Sequence, residues 1–369
     1  MSRITRRDFL GYSRWAVATA AAGGLVLDGR PGRAVAQTLK KVRFTLPWIA
    51  EGSLIHAFIA RNRGFWKKYG LDVDIARGYG SVAATQALAG GQFDVGQAVT
   101  SVIVLQHIKG LPLQTIGVLG YKTTMGVGVL ADSPIKAPKD LESKTVGWTP
   151  TSGEVPFFPV FAKLAGIDMD KIKFVNMNID VRYRAFMDKQ IDATTDFAAS
   201  AIPPLAARGY KVRWMLYASY GIHFYESALF TTSKTVKENP DLCQGMVDGM
   251  MEALAFSHLN PEESIEIYFK EVKEAGFVAK ERENVRMGFG IANFSNIADE
   301  ARLHGLGWSD SKRFSEMADL VLTYLAKGAQ KPVVDDLFTN RFAGRIKLTE
   351  AQWAEATRRN EEFAKFFGS

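Results

Sequence analysis

Apolar and polar positions between Val42 and Gln97 change period in a regular order. Val42 to Leu46 is a short apolar run that Pro47 ends, and a Gly/Ser loop follows. Leu54 to Trp66 sets Ile55, Phe58, Ile59 and Asn62 at helical spacing, and Gly70 comes after the basic pair Lys67-Lys68. Leu71 to Ile75 alternates as a strand does, and Gly78-Tyr79-Gly80 makes a turn. Ser81 is placed to N-cap a helix over Val82 to Ala89, and Phe93-Asp94-Val95 reads as a third strand. This order of strands, loops and helices predicts an open parallel sheet. Ligands of such sheets bind past the carboxyl ends of the strands, here at Trp48 to Ser53 and Gly78 to Ser81.

The plan recurs about a hundred residues on. Lys144 to Trp148 is a strand, Thr149 to Gly153 a loop, Pro156 to Leu164 a helix ending before Gly166. Ile172 to Asn176 is a strand and Tyr183 to Met187 a helix. Gln190-Ile191-Asp192-Ala193 repeats Gln92-Phe93-Asp94-Val95 at an offset of 98, and the pairs Gly52/Gly153 and Gly64/Gly166 sit at 101 and 102. Three offsets in order imply two similar α/β lobes, each an open sheet flanked by helices, whose facing loop edges make a cleft. Residues 38–126 form the first part of lobe 1, 127–227 lobe 2, and 228–369 the return to lobe 1 with a helical C-terminal extension. Between the repeats, Gly96 to Ile108 reads as a helix and Leu113 to Leu119 as a strand. Val127 to Leu130 and Ala228 to Thr231 are expected to pair as adjacent crossing strands and form a hinge.

Residues 1–36 stand apart. Thr5-Arg6-Arg7-Asp8-Phe9-Leu10 puts two arginines before an apolar pair, Trp15 to Leu27 is moderately apolar, and Ala34-Val35-Ala36 offers a cleavage site. The pattern is that of a twin-arginine export signal, and it places the rest of the chain in the periplasm. This segment holds six arginines and two aspartates, so +4 of the net +7 belongs to it and +3 to the other 333 residues. No basic cluster with interleaved aromatics remains, which argues against nucleic acid as a partner. One cysteine, Cys243, permits neither an internal disulfide nor a thiolate metal site.

Catalytic signatures are absent. His56, His107, His223, His258 and His304 form no HExxH pair, and there is no GxSxG, P-loop or complete GxGxxG. No metal, cofactor or catalytic residue is expected. An exported two-lobed chain of this kind reads as a binder, and a monomer is expected.

Pro47-Trp48 with His56-Ala57, Gly64-Phe65-Trp66, Gly70-Leu71-Asp72-Val73 and Gly90 to Gly96 resemble the periplasmic solute-binding proteins of ABC importers for nitrate, sulfonates, taurine and thiamine pyrimidine precursors. Asp140 to Gly147 and Tyr220-Gly221-Ile222-His223-Phe224-Tyr225-Glu226 fit as well, so the resemblance spans roughly Val42 to Leu325. It implies a type II periplasmic binding protein fold, a small-molecule ligand, closure of the lobes about a hinge, and an ABC permease as partner. The stretch from Tyr220 to Glu226 is most similar to the branch that binds thiamine pyrimidine precursors. Eukaryotic pyrimidine synthases of the same superfamily carry a cysteine-rich motif that this chain lacks, so a receptor is favoured, with a pyrimidine-precursor synthase as the alternative of another class that turnover or iron dependence would mark.

The candidate ligand residues follow from position. Trp48 lies past a strand, where its ring either stacks on a flat ligand or fills the core. Ser81 and Thr151-Ser152-Gly153 precede helices, so their hydroxyls and free N–H groups either face the ligand or cap the helix. Asp196 and Phe197 are expected just past the third strand of lobe 2; the acid receives ligand donors or bridges the lobes. Tyr220 and Glu226 lie at the hinge return, where Glu226 meets the ligand or makes a hinge salt bridge. His56 reads as a capping or solvated histidine ahead of a ligand contact. An anionic ligand would need Arg77 or Arg182 to offset the acids, whereas an amino-substituted ring satisfies Trp48, Phe197, Asp196 and Glu226 together. An aromatic heterocycle is therefore favoured over a sulfonate, nitrate or aromatic carboxylate.

Overall fold

The computed structural model describes residues 38–277 and 279–367; the export signal expected over residues 1–36 lies outside them. In chain order the strands are β1 (Lys40–Thr45), β2 (Leu71–Ala76), β3 (Val95–Ala98), β4 (Leu113–Gly120) and β5 (Met125–Leu130). Then come β6 (Thr145–Trp148), β7 (Lys173–Asn176), β8 (Ala193–Phe197), β9 (Val212–Leu216) and β10 (Ser227–Thr232). The helices of the first repeat are α1 (Ile55–Asn62), α2 (Phe65–Lys68), α3 (Ser81–Ala89) and α4 (Thr100–Ile108); those of the second are α5 (Phe158–Leu164), α6 (Ile179–Met187) and α7 (Ala198–Ala207). After β10 the chain is helical, with α8 (Ser233–Glu238), α9 (Pro240–Leu259), α10 (Pro261–Glu271) and α11 (Glu281–Asn296), then further helices to Phe367.

The ten strands make two sheets of the same design. One runs β2-β1-β3-β10-β4 and the other β7-β6-β8-β5-β9. In each, the first three strands are parallel, and the fourth, β10 or β5, is antiparallel to both neighbours. The chain therefore crosses between sheets twice, through Tyr121 to Thr124 and through Tyr217 to Glu226. The expected pairing of Val127 to Leu130 with Ala228 to Thr231 does not occur. Both segments are buried and central, so each needs hydrogen-bonding neighbours on two sides. β8 and β9 supply them to β5, and β3 and β4 to β10.

The internal repeat has a physical content. Asp94 Oδ2 accepts from the Arg43 N–H of β1 at 2.8 Å, and Asp192 Oδ2 accepts from the Thr145 N–H of β6 at 2.8 Å. Each aspartate thus closes the gap between two parallel strands at the same place in its sheet. This also explains why β3 and β8 begin at Val95 and Ala193, later than the pattern suggested. Gly64 and Gly166 both take left-handed conformations, φ +71° and +69°, where the first long helix of each lobe stops. The helix expected over Gly96 to Ile108 begins only at Thr100, because Gly96 to Ala98 belong to β3.

The long helix α9 packs on the first lobe, where Trp66 lies against Gly249 and donates its indole N–H to the Met246 carbonyl at 3.1 Å. Burying that ring stabilises the fold by about 2–3 kcal/mol. Helix α11 touches both lobes. A Cβ on Gly52 would stand 2.2 Å from the Val285 carbonyl oxygen, and one on Gly288 would stand 3.1 Å from that of Ala199.

Candidate functional site

The carboxyl ends of the parallel strands in the two sheets face each other. The loop Trp48 to Ser53 after β1, the N-terminus of α3 and the turn Thr149 to Gly153 after β6 converge there. Between them lies a cavity with about 780 Å³ of space not filled by protein atoms, part of it open to solvent. Of the residues singled out above, Trp48, Ser81, Ser152, Gly153, Asp196, Phe197 and Glu226 line it. Thr151 and Tyr220 do not. Thr151 instead donates its hydroxyl to the Tyr79 carbonyl at 2.5 Å and accepts from the Val82 N–H at 3.2 Å, fastening the two lobes. Tyr220 packs edge-on against Phe161 inside the second lobe, with ring centroids 5.2 Å apart.

Several polar groups of the wall have protein partners. Ser81 is the first residue of α3 rather than its N-cap, and its Oγ accepts from the Val99 N–H at 3.1 Å. Ser152 donates to the buried Glu154, which also accepts from Thr195 Oγ1 at 3.0 Å. Asp196 lies within β8; it is salt-bridged to the buried Arg182 and accepts from the Tyr183 hydroxyl at 2.7 Å. Arg77 stacks over Tyr79 with 4.5 Å to the ring centroid. Neither arginine lines the cavity; Arg182 neutralises Asp196 from behind the wall, and no ion pair to Glu51 or Glu226 is found among the described residues. His56, expected capping or in solvent ahead of a ligand contact, is buried. It lines the cavity and its Nε2 donates to Asn293 Oδ1 at 3.1 Å. Burial lowers its pKa to about 4, so it is neutral at physiological pH.

Glu226 is pushed up to about 7 by burial, against the hydrogen bonds it accepts from the backbone N–H and hydroxyl of Thr124. Glu51, in the loop after Trp48, is likewise pushed up to about 7 by burial. Its Oε1 accepts from Ser53 Oγ at 2.5 Å and from Ser200 Oγ of α7 at 2.6 Å. Glu51 escaped the sequence reading, although an acid three residues after Trp48 in a strand-end loop was a signal. Gln97 of β3 and Ile291, Ser295 and Asn296 of α11 also line the cavity. The α11 residues carried no such signal, since their helix reads as one more amphipathic element. The Trp48 indole N–H is buried in the wall without a protein acceptor. The arrangement can receive a flat molecule between aromatic surfaces and hydrogen-bond its edge.

Two sheets of one design, joined by two crossings around a cavity, define a periplasmic binding protein fold. Residues 53–264 match the NMT1/THI5-like family, and the chain belongs to it. A Brucella abortus binding protein is 28% identical over 221 residues, 58% of this chain; the match spans 66% of that relative's length, just short of two thirds. A formylaminopyrimidine-binding protein of Halalkalibacterium halodurans is 20% identical over 242 residues, 65% of this chain and 73% of that one. The periplasmic nitrate-binding protein of Synechocystis PCC 6803 shares the fold with a TM-score of 0.58 and 16% identity, over 90% of this chain and 91% of that one.

Proposed function

We propose that this protein is a periplasmic receptor that captures a flat, nitrogen-bearing heterocycle and delivers it to an ABC importer. The observation that carries the reading is the charge of the wall. Glu51 and Glu226 line the cavity with no ion pair among the described residues, Asp196 beside them is paired to Arg182 behind the wall, and no lysine or arginine is among the described lining residues. Adding a sulfonate or nitrate would bring a further negative charge to acids already desolvated, at a cost of several kcal/mol. A ring bearing amino groups does the reverse, giving donors to the acids and a face to Trp48 and Phe197.

The aminopyrimidine named for the Halalkalibacterium relative is a ligand of this chemistry. Binding at a micromolar constant, roughly −8 kcal/mol, needs one stacked ring and a few hydrogen bonds. The function is capture rather than turnover: the cavity's carboxylates and hydroxyls bind and orient, and closure of the lobes excludes water. Hinge bending at the two crossings, a monomeric state and export by the twin-arginine route belong to the same proposal. Calorimetric titration against an aminopyrimidine, taurine and an aromatic carboxylate tests it. Micromolar binding of the aminopyrimidine alone is expected; binding of either anion in its place overturns the heterocycle reading.

A further inference from the structure

Glu51 lies at a junction that the ligand reading does not by itself explain. It and Ser200 line both the main cavity and an outer groove bounded by Ile49, Tyr183, Arg184, Arg208 and Glu281. Glu51 belongs to the loop after β1 in one lobe, and Ser200 to α7 in the other. Their hydrogen bond therefore crosses the cleft at the neck between cavity and groove. Both lobe contacts fall on one oxygen, because Oε1 accepts from Ser53 and from Ser200, and no described protein donor reaches Oε2.

We propose that Glu51 ties ligand capture to lobe closure, holding the opposite lobe through Oε1 while Oε2 accepts a donor from the ligand. The ligand half rests on the heterocycle reading above; the closure half stands without it. Closing the cleft removes water from Glu51, and opening rehydrates it. Asp196 and Glu281 raise its pKa further, the hydroxyls of Ser53 and Ser200 oppose the rise, and Tyr183 and Tyr268 lie within its field. Across the neck, His56 is neutral and supplies no positive charge. The pKa is thus about 7 when closed and returns toward the ordinary 4.5 when open. The closed form holds the extra proton, so acid favours closure of the ligand-free protein through this window and rising pH releases it.

Nitroxide labels at Lys109→Cys and Lys163→Cys, exposed sites one in each lobe, read the lobe separation in the ligand-free protein; the native Cys243 is buried. From pH 8.5 to pH 5 the closed-to-open ratio should rise about tenfold or more, one pKa unit corresponding to tenfold. Glu51→Gln should remove this response and stay closed at both pH values. Ser200→Ala, which keeps the carboxyl but drops the interlobe donor, should shift both pH values toward the open form. A pH response undiminished in Glu51→Gln overturns the proposal. In a separate arm, Glu51→Gln should weaken 4-amino-2-methylpyrimidine at pH 8 about tenfold. If the wild type does not bind this probe, the heterocycle reading fails, and the label distances still decide whether Glu51 governs closure.

Discussion

Glu226 Oε2 accepts the backbone N–H of Thr124 at 2.7 Å, which joins the two segments by which the chain crosses between its sheets. Thr124 ends the first crossing and Glu226 the second, and the Thr124 hydroxyl also donates to the same carboxylate. Because Glu226 lines the cavity, the second crossing and the cavity wall share one side chain. The alternatives of ligand contact and hinge bond are therefore compatible, as a carboxylate has about four acceptor positions. Its bond to the first crossing is a hydrogen bond rather than a salt bridge.

Replacing Glu226 by Gln keeps the shape but removes the charge. Affinity for an aminopyrimidine should fall by roughly 1.5 to 3 kcal/mol, the worth of a hydrogen bond to a charged group. Binding of taurine should be unchanged or improved, since a like charge disappears. Calorimetry of both proteins against both ligands checks the contrast.

Trp48→Phe keeps an aromatic face and deletes an indole N–H that has no protein acceptor. The unfolding free energy from urea titration should stay within about 0.5 kcal/mol of the wild type, because no protein hydrogen bond is lost. Ligand affinity should fall by about 1 kcal/mol through the lost donor. A large fall in stability with unchanged affinity would place the ring in a purely structural role.

Gly80→Ala should hold the cleft open. Its φ is +112°, and an added Cβ would stand 2.0 Å from the Thr151 carbonyl oxygen of the opposite lobe. Gly64→Ala is the control for a positive φ alone: its αL backbone, φ +71° and ψ +20°, costs an alanine about 1–2 kcal/mol with nothing within 4 Å of the new carbon, whereas Gly80, at ψ +149°, is in a region only glycine adopts readily. Small-angle scattering should show a larger radius of gyration for Gly80→Ala only, and ligand binding should weaken for that variant only.

Buried histidines make the fold sensitive to acid. His258 is held down to about 3, chiefly by burial, and neither ring nitrogen has a partner. A histidine whose folded pKa is depressed contributes stability in full above its unfolded value near 6.5, and loses it as pH falls toward the folded value. His258→Leu should therefore differ little from wild type at pH 7.5. At pH 5 it should be the more stable by about 2 kcal/mol, from 1.5 units of uncompensated titration. Thermal unfolding at the two pH values measures the crossover. The buried acids Glu51, Glu154 and Glu226, all raised to about 7, act in the opposite sense and lose stability as pH rises from 4.5 to 7. Their effect is common to both proteins and cancels in the comparison.

Much of this architecture is written in local pattern. Period-two and period-3.6 stretches located β1, β2, α3 and α9, because side chains of one face must share the core wherever the partner element lies. The matched aspartates Asp94 and Asp192 and the helix stops at Gly64 and Gly166 revealed the repeat, since each acts within a few residues or on the adjacent strand. Trp48, Asp196, Phe197 and Glu226 reach the cavity for a related reason: strand ends in an open sheet share one edge.

What the pattern left undetermined depends on residues far apart in the chain. The partners of β5 and β10 were misjudged, because burial shows that a central strand needs two neighbours without saying which two. Tyr220 sits in a stretch that marks the family, yet the turn at Gly221, φ +91°, accompanies its packing against Phe161 rather than in the cavity. Helix α11 reaches the cavity only because Gly52 and Gly288 let its backbone approach both lobes. The weight of Glu51 depends on Ser200, 149 residues later, whose hydroxyl meets it across the cleft at 2.6 Å. Such a contact has no local period, since it is made by two sheets brought edge to edge by the crossings of the chain.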